Sequence, residues 1–135
     1  MNLLPNSPIQ MHYSPATDIL HVKYPDVDSV LLPIIKESLA AMVQAIINYD
    51  VKRLLLDASK TVIKSSIEEN RSLTLELASH LSKTRLQKVA RIQPVDPVRE
   101  KQAQANINHI QEKGLLSYQL GTFATEQEAM EWLLA

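Results

Sequence analysis

Leu54, Leu55 and Leu56 stand side by side between Lys52-Arg53 and Asp57. Successive residues of a strand point to opposite faces, so three consecutive leucines place apolar surface on both. Residues 51–57 therefore read as a central parallel strand, which needs a covering layer on each side. The rest of the chain must supply those layers and the neighbouring strands.

Residues 9–13 and 19–24 are short β-type runs, and Ser14-Pro15-Ala16-Thr17-Asp18 between them carries turn chemistry. This predicts a β-hairpin with a loop of about five residues. Alternation in the second run puts Leu20, Val22 and Tyr24 on one face, predicted to pack on the core. Residues 1–8 read as an irregular lead-in. Ile35, Leu39, Met42, Val43, Ile46 and Ile47 recur at helical spacing, with Pro33 in the first turn and residues 48–50 as the end. Ser66 and Glu69 have capping-box spacing, and Leu73, Leu77 and Leu81, with Ala78, continue as a helix.

Residues 88–92 form a second apolar strand. Asp96 is the N-cap and Pro97 the first residue of a helix predicted to run to Lys113, with Gly114 as the left-handed cap. Residues 115–121 read as a last, weaker strand. Thr125 and Glu128 form a second capping pair before a helix over residues 126–134. The order β-β-α-β-α-β-α-β-α predicts a single α/β domain over residues 1–135. Its sheet is mixed but mainly parallel, with about five strands and about four helices, joined by right-handed crossovers.

At 135 residues, with 45% hydrophobic and 21% charged, the chain can bury one ordinary core. The lack of cysteine excludes disulfides, zinc–thiolate sites, iron–sulfur clusters and thiol catalysis. Two glycines are too few for a phosphate-cradling loop or a dinucleotide-binding turn. A net charge of −1 provides no field that would gather nucleic acid.

His12, His21, His80 and His109 lack metal-ligand spacing. His12 and His21 could meet across the hairpin, but a metal needs three or four convergent ligands, so no metal and no cofactor is expected. There is no nucleophile elbow. Glu68, Glu69, Glu126, Glu128 and Glu131 are explained as charges favoured near helix N-termini. No secretory signal is visible, and the longest continuous apolar runs are about six residues against the ~20 of a membrane span. The expectation is a cytoplasmic protein with no membrane insertion.

Three places carry the remaining chemistry. The first is the loop after the central strand, where Asp57, Ser59, Lys60, Lys64, Ser65 and Ser66 gather at the strand's carboxyl end. Ligands and functional loops collect there in open α/β sheets. Asp57 and Ser59 can equally shape the turn, and Ser66 can cap the next helix. An enzyme using Asp57 and Ser59 would need a base and oxyanion donors, which the sequence does not display. The second is the basic cluster Lys83, Arg85, Lys88, Arg91, Arg99 and Lys101, read as solvated helix ends or an anion surface. The third is the segment from Phe123 through Trp132. Phe123 is expected to staple the start of the last helix, and Trp132 to dock that helix or present it to a partner.

Three stretches together resemble the STAS-like proteins, the fold of bacterial anti-sigma-factor antagonists, and in particular a small single-domain branch of unknown function. They are Asp18-Ile19-Leu20-His21-Val22-Lys23-Tyr24-Pro25, Val51-Lys52-Arg53-Leu54-Leu55-Leu56-Asp57-Ala58-Ser59, and Phe123-x-Thr125-x-x-Glu128-Ala129-x-x-Trp132-Leu133. The resemblance implies a phosphorylatable serine at the start of the helix after the central strand, and Ser66 is the matching residue. Ser65 stands where those antagonists carry aspartate, and Ile67-Glu68 where they carry a small residue and glycine.

The expected function is a non-enzymatic regulatory module, a degenerate partner switch that binds a protein through residues 57–66, with Ser66 or Ser59 as the phosphosite. The alternative is a small-molecule or lipid-binding α/β domain, with a pocket lined by Leu39, Met42, Val43, Ile46, Leu73 and Leu77. A homodimer through a hairpin edge or the terminal helix is compatible with either.

Overall fold

A computed structural model describes residues 2–3 and 9–135 of the chain. Six strands form one sheet in sequential order: β1 (Asn2–Leu3), β2 (Gln10–Ser14), β3 (Ile19–Lys23), β4 (Arg53–Asp57), β5 (Lys88–Ile92) and β6 (Gln119–Phe123). β1–β2 and β2–β3 are antiparallel, and β3 through β6 are parallel. Helices α1 (Leu32–Asn48), α2 (Ile67–Leu81) and α3 (Pro97–Glu112) are the crossovers, and α4 (Glu126–Leu134) closes the chain. The mixed, mainly parallel sheet and the alternating order are those expected from the sequence.

Asn2 and Leu3 pair with His12 and Met11, so part of the expected irregular lead-in is a strand that covers the hairpin's outer edge. The remainder of that lead-in, Met1 and residues 4–8, lies outside the described residues.

Helix boundaries follow local chemistry. Pro33 sits in the first turn of α1, where its missing N–H costs nothing. Ser66 and Glu69 form the reciprocal capping box of α2. The Asp96 carboxylate accepts from Val98 N–H to open α3, and Gly114 beyond its end takes φ 65°. Thr125 accepts from Glu128 N–H, and its hydroxyl donates to the Glu128 carboxylate.

The last strand begins four residues later than expected. Residues 115–118 are instead held by side chains at the end of α2: the Ser82 hydroxyl donates to Leu115 O, and the Ser117 hydroxyl donates back to Ser82 O. β6 starts where Gln119 comes into register with Lys88.

Leu20, Val22, Leu54 and Val89 point to one face and pack with Met11, Leu39, Met42, Leu73 and Leu77 in the main core. Ile19, Leu55, Ala90 and Ile92 point to the other face, which α4 covers with Ala129 and Leu133. Leu54 and Leu55 are completely buried on opposite faces. Right-handed crossovers between sequential strands put all three connecting helices on one side, so the second side needs an extra element, and α4 provides it.

Ser29–Asn48, a 3-10 turn continuing into α1, reaches a mean hydropathy of 1.8 over its most apolar 18 residues and is long and apolar enough to cross a membrane. Pro33, Lys36-Glu37-Ser38 and Gln44 divide its apolar residues into short runs, so no uninterrupted run reveals it. In the fold the segment is the first crossover, with Ile35, Leu39, Met42 and Ile46 buried against the sheet.

Candidate functional site

The carboxyl ends of β3, β4 and β5 deliver three loops to one edge of the sheet. The loop after β4 is stapled to the loop after β3. Val27 N–H donates to Val62 O (2.9 Å), Lys64 N–H donates to Val27 O (2.6 Å), and the Asp26 carboxylate accepts from Val62 N–H (2.8 Å). Ser29 in the first loop donates to Glu69 Oε1 at 2.7 Å, which also accepts from Ser66 N–H at 3.0 Å. These bonds, the one from Ser66 N–H foremost, outweigh the opposing desolvation and hold the Glu69 carboxyl below its usual range.

Within this frame Asp57 Oδ1 accepts from Ser59 N–H (3.0 Å) and from the Ser59 hydroxyl (2.6 Å). Both residues are half-buried and bonded to each other, shaping the turn. Ser66 is exposed at its cap, as are Lys60 and Lys64. Ser65 Oγ is buried and has no hydrogen-bond partner among the described residues.

The same edge carries exposed apolar side chains at three successive loop–helix junctions. Val30 and Ile34 follow β3, Val62 and Ile67 follow β4, and Val95 and Val98 follow β5. Val30 is 84% exposed and Val95 87%, although polar residues would cost nothing at such positions.

Beneath this edge, between α2, α3 and the sheet, lies a cavity of about 150 Å³. It arises because α3 has a thin inward face: only Asn106, Ile107 and Ile110 are buried along it, and Ala103 leaves the space before them unfilled. Leu56, Val89 and Leu120 form the sheet side. Tyr24 lies at the carboxyl edge and Tyr118 at the opposite edge, both lining the cavity. Burial pushes both phenols up to about 12, and neither hydroxyl has a hydrogen-bond partner among the described residues. Arg99 Nη2 donates to Ile63 O at 2.7 Å and has no acidic partner among the described residues.

Of the six residues expected to line a pocket, only Leu77 reaches this cavity. Leu39, Val43, Leu73 and Leu77 instead line a smaller one of about 50 Å³ between α1 and α2, and Met42 and Ile46 are filled core. α1 has a strong apolar face that leaves little space against the sheet and α2. The weaker face of α3 is where the larger space remains.

The basic cluster does not form one surface. Arg85 pairs with Asp50, Lys88 donates to Trp132 O and Ala135 O on the α4 side, Arg91 pairs with Glu100, and Arg99 turns to Ile63 O. Phe123 does not staple the start of α4. It packs near the far end against Trp132, with ring centroids 5.4 Å apart. His12 and His21 are opposite each other in β2 and β3, and His21 Nδ1 lies 3.4 Å from Glu126 Oε1. Among the described residues no three histidine or acidic groups are arranged to hold a metal.

The cavity's polar groups are not recognisable as a set in the linear chain. Tyr24 had the signal of a core-facing strand residue and Arg99 that of a solvated helix start. No protein-family profile, curated protein or solved structure significantly matches the chain.

Proposed function

We propose that this chain is a non-enzymatic regulatory module of STAS-like type that binds a protein partner through the carboxyl edge of its sheet. The observation that carries the reading is the row of exposed valines and isoleucines at three consecutive loop–helix junctions. Exposed apolar side chains gathered at one end of a domain are the usual mark of an interaction surface. The stapled loops present it with little ordering cost, since Val27, Val62 and Lys64 are already held by backbone bonds. Asp57 and Ser59 support the loop from below, while Lys60, Lys64 and Ser66 face solvent beside Ile67.

Ser66 is the better-placed phosphosite of the two. Its side chain is exposed, whereas the Ser59 hydroxyl is held by Asp57. A phosphate on Ser66 would place about −1.5 to −2 charges beside Glu69 and in the middle of the apolar row, opposing association by desolvation and charge.

The test is capture of partners from the source cell's extract by tagged wild type, Ile67→Glu, Val98→Glu, Ser66→Asp and Ile47→Glu. The expected result is a specific protein held by wild type and by Ile47→Glu, at the other end of α1, and lost from Ile67→Glu and Val98→Glu. Loss in Ser66→Asp supports the switch. A partner set identical in all five overturns the edge as the contact surface. The alternative, a small-molecule-binding domain, is supported by the cavity between α2 and α3.

A further inference from the structure

The cavity is asymmetric in its charge, with the neutral Tyr118 at one edge and Arg99 at the other. Its body is apolar, made by Leu56, Val89 and Leu120 from the sheet and by Leu77, Ile107 and Ile110 from the helices. At the carboxyl edge it ends in polar hydrogen-bond donors. Arg99 is oriented there by one bond to Ile63 O, which leaves its other N–H groups available. Tyr24 is at the same edge, its own carbonyl accepting from the Thr61 hydroxyl at 3.0 Å. Its hydroxyl is a donor without an acceptor among the described residues, and burial keeps it protonated.

Arg91, the other cation lining the space, is already neutralised by Glu100 at 2.5 Å. Arg99 therefore supplies an uncompensated positive charge next to an apolar hole. A half-buried guanidinium with free donors and no acid partner is costly unless an anion or water completes it. A cavity of this size lined by aliphatic side chains accommodates about one benzene-sized group.

We infer that the cavity binds a small apolar carboxylic acid, with its ring or short chain between α2 and α3 and its carboxylate on Arg99 and the Tyr24 hydroxyl. This rests on the small-molecule reading and gives it a ligand class. Guanidinium–carboxylate pairing is charge-assisted and bidentate, so it discriminates against a neutral analogue of the same shape.

The test uses calorimetric or ligand-detected NMR titration of the full chain with phenylacetate and octanoate, and with phenylacetamide as the neutral isostere. The acids are expected to bind saturably at about 1 mM or tighter. Phenylacetamide should bind at least about tenfold more weakly. Arg99→Gln should remove most of that preference, and Tyr24→Phe part of it. Ala103→Trp, which fills the cavity from α3, should abolish binding. Unchanged thermal unfolding of each variant shows that the fold survives.

Equal binding of acid and amide by wild type overturns the carboxylate assignment and leaves an apolar-ligand site. Binding of the acids unaffected by Ala103→Trp, or no saturable binding of any probe up to roughly 10 mM, overturns the cavity as a ligand site altogether.

Discussion

Arg91 on β5 and Glu100 on α3 are joined by two hydrogen bonds, the shorter 2.5 Å, with only 12% and 18% of their side chains exposed. The pair ties the first turn of α3 to the sheet beside the cavity, and Gln104 adds a bond to the same carboxylate at 2.9 Å. Truncating one member leaves a charge uncompensated in a half-dry place. Glu100→Ala is expected to cost about 2–3 kcal/mol, below the ~3–5 kcal/mol of a fully buried pair. Arg91→Met combined with Glu100→Leu should recover most of that loss. Urea unfolding of the two single variants and the double variant checks both statements.

The same carboxylate gives the fold an acid-sensitive element. Burial raises the Glu100 pKa, but hydrogen bonds from Arg91 and Gln104 outweigh it and hold the carboxyl below its usual range. Glu69 is lowered in the same sense, first by the Ser66 N–H. A group depressed in the folded state adds stability above its unfolded pKa of about 4.3, and that stability is lost as pH falls through the folded value. Stability should therefore be flat from neutral pH to about 5 and decline below it. The decline should be shallower in the Arg91→Met, Glu100→Leu double variant, measured as Tm against pH.

Gly121 makes room for the aromatic contact that seats α4. A Cβ there would lie 2.8 Å from Phe123 Cε2 and 3.4 Å from Trp132 Cε2. The Phe123 ring has little freedom to move, because it leans on Trp132. Gly121→Ala is expected to cost about 1–3 kcal/mol by overpacking. Trp132 is the chain's single tryptophan and sits under Lys88 Nζ at 5.1 Å, so its emission reports this change directly. A wild-type spectrum and unchanged Tm in the variant would contradict the assigned packing.

The capping role of Ser66 can be separated from its proposed role as a phosphosite. Ser66→Ala loses the acceptor for Glu69 N–H and should cost about 1 kcal/mol. Ser66→Asp keeps a capping acceptor and should unfold close to wild type. A Ser66→Asp variant as unstable as Ser66→Ala would mean that any partner it loses reflects damage to α2 rather than charge.

Leu133 is fully buried against the face that the crossover helices leave open. Leu133→Ala should cost about 2–5 kcal/mol. If α4 is part of one cooperative unit, tryptophan emission and far-UV circular dichroism will shift together in denaturant. Separate transitions would show α4 detaching first.

Much of the architecture was legible in the linear chain because its determinants are local. The leucine run at 54–56 demanded a two-sided strand, and Leu54 and Leu55 are buried on opposite faces. Ser66, Asp96, Thr125 and Gly114 marked helix ends through bonds that span only a few residues. The pairing of Asp57 with Ser59 is likewise a short-range turn, readable from the two residue types and their spacing.

Other features needed the fold. The start of β6 is set by Ser82, which reaches across from the end of α2 to occupy Leu115. Phe123 finds Trp132 only once α4 lies across the sheet. The cavity exists because the thin face of α3 fails to fill a space whose other walls come from α2 and three strands. Tyr24, Arg99 and Tyr118 belong to separate segments, and no periodicity relates them. Sequence by itself determined the elements, their ends and the faces they bury, since these follow from side-chain period and backbone capping. Tertiary structure alone decided what those faces leave empty, because a void is a difference between surfaces contributed by distant parts of the chain.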